Sequence, residues 1–143
     1  HCKGSTEIPR DDVLYVDCDV LVPAAVSNAI TVQNADKIKA KLIVEAANNP
    51  VTNMAEEALF KRGILILPDF LVNAGGVIGS YVEYIGGNAD EAFEMIDAKI
   101  RQNTQEVLER AINHETVAMP RVMGMRIAKE RVAKAMRARA DKK

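Results

Sequence analysis

The chain has 143 residues, 48% of them hydrophobic and 27% charged, with a formal net charge of -1, which leaves room for one domain of ordinary globular composition. No apolar run approaches the roughly 20 residues of a membrane span, and the first residues lack the charged-then-apolar plan of a signal peptide, so a cytoplasmic protein is expected. Cys2 and Cys18 are too few for a disulfide framework and are expected to be reduced and structural, Cys18 against a buried strand.

Three short runs rich in Val, Ile and Leu, at Asp19 to Val22, Lys41 to Ala46 and Ile64 to Leu67, show no polar alternation, as expected of parallel strands covered on both faces. Between the first two, Thr31 is placed to cap a helix over about Val32 to Ala40. Between the second and third, Thr52 or Asn53 with Glu56 resembles a capping box, and Gly63 ends that helix. The pattern is β-α-β-α-β, an α/β fold with right-handed crossovers.

Each run is followed by a turn of small residues and amides: Pro23 to Asn28, Ala47 to Pro50, and Pro68 to Val77. Ligands of open parallel sheets bind outside the carboxyl ends of the strands, so function is expected there. After Leu67 the character turns helical. An apolar helix is expected over Ala74 to Ile85, then a Gly86-Gly87 break, then a helix capped by Asn88 with Glu91 and reaching about His114. Phe93, Ile96, Ile100, Val107 and Ala111 share one side of that helix. Pro120 suits the first turn of a last helix to about Ala140, in which Gly124 costs roughly 1 kcal/mol against Ala.

From Arg121 to Lys143 there are nine Lys and Arg against two acidic residues. The apolar positions Met125, Ala128, Val132 and Ala135 between them, and the absence of aromatics, favour a solvated helix face over nucleic-acid binding.

A dinucleotide-binding sheet has two β-α-β-α-β halves with a glycine-rich turn after its first strand. Three strands and no G-x-G-x-x-G amount to half a Rossmann domain, whose inner edge needs a partner. Within the segment Pro68 to Val77, Asn73 supplies a carboxamide beside Ala74-Gly75-Gly76. The missing Cβ atoms there admit a flat ligand, or else merely permit close helix packing.

Asp19 to Ala25, Lys39 to Pro50 and especially Pro68 to Glu83 closely resemble the cofactor domain of glutamate dehydrogenases, within the Glu/Leu/Phe/Val dehydrogenase family. The resemblance implies that Ala24 and Ala25 line the nicotinamide half of the cleft, that Asn48 contacts the nicotinamide ribose and that Asn73 contacts the carboxamide. It further implies that Val77 packs on the substrate and that Ser80 bonds the side-chain carboxylate of glutamate. A carboxylate needs a donor and an apolar side chain does not, which favours glutamate over leucine or phenylalanine. Ala46, Val51, Val82 and Tyr84 depart from the family's common Gly, Thr, Phe and Trp.

The implied reaction is reversible oxidative deamination of L-glutamate to 2-oxoglutarate and ammonia with NAD or NADP. Residues 1–87 would be the second half of the dinucleotide domain and 88–143 C-terminal helices packing on it. The parent would be a homo-hexamer with no nucleic-acid or membrane partner. The family's catalytic lysines and aspartate lie in an N-terminal domain with no counterpart here, so no residue is assigned as catalytic and none as a metal ligand. Lys39 and Lys41 belong to a helix-to-strand connection, Asp69 to a strand end or cap, and His114 to a helix end. The chain alone is therefore expected to be an inactive fragment. The rivals are a noncatalytic α/β interaction module and a leucine, phenylalanine or valine dehydrogenase.

Overall fold

The computed structural model describes residue 4 and residues 6–114 and 117–141, so Cys2 and His1 lie outside the described residues. A 3-10 helix at Arg10–Tyr15 precedes β1 (Val20–Leu21), a 3-10 turn at Ala35–Lys37, β2 (Leu42–Val44), α1 (Asn53–Lys61) and β3 (Leu65–Leu67). Then come α2 (Asp69–Val72), α3 (Gly75–Tyr84), α4 (Ala89–Ile112) and α5 (Pro120–Ala140). The three strands form one sheet in the order β1-β2-β3, with β1 parallel to β2 at Val20–Leu42 and Leu21–Ile43. The fold is the expected α/β arrangement. Two compact units are present, His1–Leu65 and Ile66–Lys143.

In the first unit the core gathers Ile30, Ile38, Ile43, Val51, Ala55 and Leu59, each wholly buried. The strands are shorter than the apolar runs, and β1 is not covered on both faces: Val20 and Val22 stand 49% and 52% exposed beside the sheet edge. Cys18, free and half-buried, is likewise less enclosed than expected. The expected helix over Val32 to Ala40 does not form; one 3-10 turn replaces it. Asn34 explains this, because its Oδ1 accepts the Thr31 N–H at 2.7 Å while its Nδ2 donates to the Ala29 carbonyl at 3.0 Å. These local bonds compete with the helical ladder. The turn's carbonyls are served from a distance: Arg62 donates from Nη1 to Ala35 O and from Nη2 to Ile38 O.

Helix α1 takes Thr52, one of the two expected positions, as its N-cap, but without a side-chain cap bond, so no capping box closes there. Its end is a Schellman motif: Gly63, at φ +80, donates to Phe60 O, and Ile64 donates to Leu59 O. The same device ends α3, where Gly86 at φ +82 donates to Glu83 O and Gly87 donates to Val82 O at 2.9 Å. The capping box of α4 is complete, Asn88 Oδ1 accepting the Glu91 N–H and Glu91 Oε2 accepting the Asn88 N–H.

The α3–α4 joint tolerates no side chain at Gly87. A Cβ there would stand 2.4 Å from Val82 Cγ1, 2.9 Å from Glu91 Oε2 and 3.1 Å from the Val82 carbonyl. Gly87→Ala should therefore lower stability by about 1–3 kcal/mol, the usual cost of overpacking, read as a shift in the urea midpoint at unchanged m-value.

The core of the second unit is Leu71, Val107, Ala111, Met123 and Ile127. Only the C-terminal part of the expected α4 stripe is buried; Phe93 is 71% exposed and Ile96 and Ile100 are half-buried. In α5 the buried face is Pro120, Met123, Gly124 and Ile127, whereas Met125, Ala128, Val132 and Ala135 are exposed. Gly124 explains the choice of face. A Cβ there would lie 2.9 Å from Phe70 Cε2, so the helix passes directly against that ring and glycine serves close approach.

Candidate functional site

In the first unit the turns after β1 and β2 are laced together. Pro23 O accepts the Ala47 N–H, Asn49 O accepts the Asn28 N–H, and Pro50 O accepts the Ile30 N–H, each at 2.9 Å. Asn28 and Asn49 hold left-handed backbone at φ 55 and 49, a region asparagine tolerates better than most residues. Pro23 and Pro50 are buried, so the lacing faces inward, while Ala24, Ala25 and Asn48 sit exposed at the rim. The structure thus brings these three predicted residues together. Sequence reasoning missed Glu45. It is fully buried beneath the second turn, where its Oε1 accepts the Val51 N–H at 3.3 Å. Its signal was a carboxylate ending an apolar strand. Lys39 is exposed, and Lys41 pairs with Asp19 at 2.8 Å across the surface.

In the second unit, Pro68 caps the single turn α2, and Asn73 closes it by donating its N–H to Asp69 O at 2.9 Å. Asn73 is half-buried and Ala74 begins α3. Val77 and Ser80, three residues apart on α3, share an exposed face opposite buried Val82. The two glycines at the start of α3 separate the ligand reading from the packing reading. A Cβ at Gly75 would meet Ile96 Cγ2 at an ordinary 3.5 Å, and one at Gly76 would meet nothing within 4 Å. Neither position has positive φ. No steric contact among the described residues requires glycine at 76, and the bare backbone there is exposed with open space beside it.

Asp69 stands at the strand end as expected, as the first residue of α2 rather than its cap: Oδ1 accepts the Phe70 N–H at 2.8 Å and faces Arg121 Nη1 at 3.2 Å. Ion pairs within and between α4 and α5 involve Arg126 and Arg131 of α5 and Arg110 of α4. Arg110 holds Glu130 at 2.6 Å and Glu106 at 2.8 Å, Arg126 holds Glu130 at 3.2 Å, and Arg131 bonds Glu106 and Asn103. The hydrogen bond from Arg110, aided by Arg126, keeps the Glu130 carboxyl below its ordinary pKa against the opposing effect of burial. His114, at the end of α4, lies 3.4 Å from Arg126 Nη1. No helix among the described residues is long and apolar enough to cross a membrane.

The family model for glutamate/leucine/phenylalanine/valine dehydrogenases matches residues 1–140. The chain belongs to this family. It is 40% identical over 139 residues to the NADP-specific glutamate dehydrogenase of Saccharolobus shibatae, covering 93% of this chain and 33% of the relative. To the NAD-specific glutamate dehydrogenase of Staphylococcus aureus it is 43% identical over 106 residues, 74% of this chain and 25% of the relative. Among solved structures, a hetero-hexameric glutamate dehydrogenase from Thermus thermophilus superposes with a TM-score of 0.81 at 27% identity, over 95% of this chain and 34% of that one. The chain therefore spans about a third or less of the length of these relatives.

Proposed function

We propose that this chain carries the second half of the nicotinamide-cofactor domain (residues 1–87) and the C-terminal helices (88–143) of a cytoplasmic, hexameric NAD- or NADP-dependent glutamate dehydrogenase. The family match over residues 1–140 is the observation that carries the reading, and the open space beside the Gly76 backbone is compatible with a flat ligand lying close to it. In this reading Ala24 and Ala25 line the nicotinamide pocket, Asn48 bonds the ribose and Asn73 orients the carboxamide. Val77 packs on the substrate chain and Ser80 donates to its side-chain carboxylate, which their shared exposed face on α3 allows.

When bound, the nicotinamide supplies the hydride acceptor for deamination. The residues of this chain bind and orient, and the acid/base groups come from outside it, so the 143 residues alone should turn over no substrate.

The test is the protein expressed from its complete natural gene, assayed with NAD and NADP against L-glutamate, leucine, phenylalanine and valine. Glutamate should give the highest kcat/KM. Ser80→Ala should lower that value by roughly 10- to 100-fold, the loss of a hydrogen bond to a charged group, and leave any leucine rate unchanged. A preference for leucine or phenylalanine would defeat the glutamate assignment, and no amino-acid-dependent reduction at all would favour an interaction module.

A further inference from the structure

We propose that Asp69 and Arg121 are a positioning pair for Asn73, through which the last helix sets the cofactor-facing end of α2; this rests on the dehydrogenase reading above. The pair joins residues 52 apart in sequence, and it is the most enclosed of the described ion pairs, with side chains 20% and 16% exposed against 66% or more in the Asp97–Arg101 and Asp19–Lys41 pairs.

Asp69 serves three bonds at once. Its carboxylate takes the Phe70 N–H and the Arg121 guanidinium, and its carbonyl takes the N–H of Asn73. A four-residue helix has almost no stability of its own, so its geometry must come from what grips it. The grip is α5. Arg121 lies 5.7 Å from the centre of the Phe70 ring, Gly124 passes against the same ring, and Leu71 enters the core with Met123 and Ile127. Phe70 and Leu71 fix where α2 sits, and the Asp69–Arg121 contact fixes its rotation. Asn73 leaves the turn one residue after α2 ends, so that rotation sets the direction in which its carboxamide points.

Lysine cannot reproduce the planar guanidinium that serves a carboxylate and a ring face together, and asparagine at 69 keeps the cap on Phe70 while losing the charge. The test is steady-state kinetics of Arg121→Lys, Arg121→Met and Asp69→Asn in the protein from the complete gene, with amide hydrogen exchange on the same samples. We expect the Met variant to raise the cofactor KM about tenfold, the Lys and Asn variants several-fold, all with the glutamate KM within twofold of the parent. Exchange at Asn73 should accelerate more than at Val107 and Ile127. A cofactor KM within twofold of the parent in all variants that fold would overturn the proposal. So would acceleration spread evenly over Asn73 and the core, which would mark a merely structural pair. An inactive parent protein would instead defeat the dehydrogenase reading, and exchange at Asn73 would still decide whether the pair holds the turn.

Discussion

Leu59→Ala should cost about 2–5 kcal/mol of unfolding free energy, the range for emptying a leucine-sized site in a packed core. Leu59 has no exposed surface, and neither have Ile30, Ile38, Ile43, Val51 or Ala55 in the same unit. Its carbonyl also accepts the Arg62 and Ile64 N–H groups that end α1, so collapse of the cavity is resisted by backbone bonds that would have to move with it. Met54, on the same helix but 69% exposed, supplies the control, and Met54→Ala should stay within about 0.5 kcal/mol. Urea unfolding of both variants measures the difference. A Leu59→Ala loss below about 1 kcal/mol would mean that this unit is not packed as described.

Gly76→Val should separate folding from function. A Cβ there meets no atom within 4 Å beyond its own turn of helix, the site is exposed, and φ is not in the left-handed region, so the unfolding free energy should change by no more than about 0.5 kcal/mol in either direction. If the bare backbone is where the nicotinamide approaches, the added isopropyl group occupies its place, and the cofactor KM of the protein from the complete gene should rise by about 100-fold or more, equivalent to roughly 2.7 kcal/mol. Unchanged cofactor binding in a folded Gly76→Val protein would remove Gly76 from the proposed site. A large loss of stability would show that glycine is kept there for packing.

Asn88 with Glu91, and the glycines at 63 and 86, were legible because caps are made by residues a few positions apart. The helix expected over Val32 to Ala40 failed for two reasons of different reach. Asn34 offers local bonds that a periodicity argument does not weigh, and Arg62, distant in sequence, satisfies the carbonyls that a helix would otherwise have used.

The buried face of α5 was not legible, because Gly124 looks like a defect until Phe70 is seen against it. Apolar spacing alone could not choose between Met123 with Ile127 and Met125 with Val132. Of the candidate site, the turns themselves were legible as small-residue clusters after apolar runs. The supports under them were not read: Glu45 showed only as a carboxylate ending an apolar strand, and the Asp69–Arg121 pair joins residues too far apart for sequence spacing to reveal.

The most direct check on the central claim is the intact mass of the species that carries this segment in its native source, captured with an antibody to the segment. This chain corresponds to 33% of the length of the Saccharolobus shibatae relative, so a dehydrogenase subunit with its remaining half-sheet and substrate domain should weigh roughly three times as much. A native species of that mass is the predicted result. A native species no heavier than the 143 residues would contradict the account, because it would lack the half of the cofactor site and the acid/base groups on which the proposed chemistry depends.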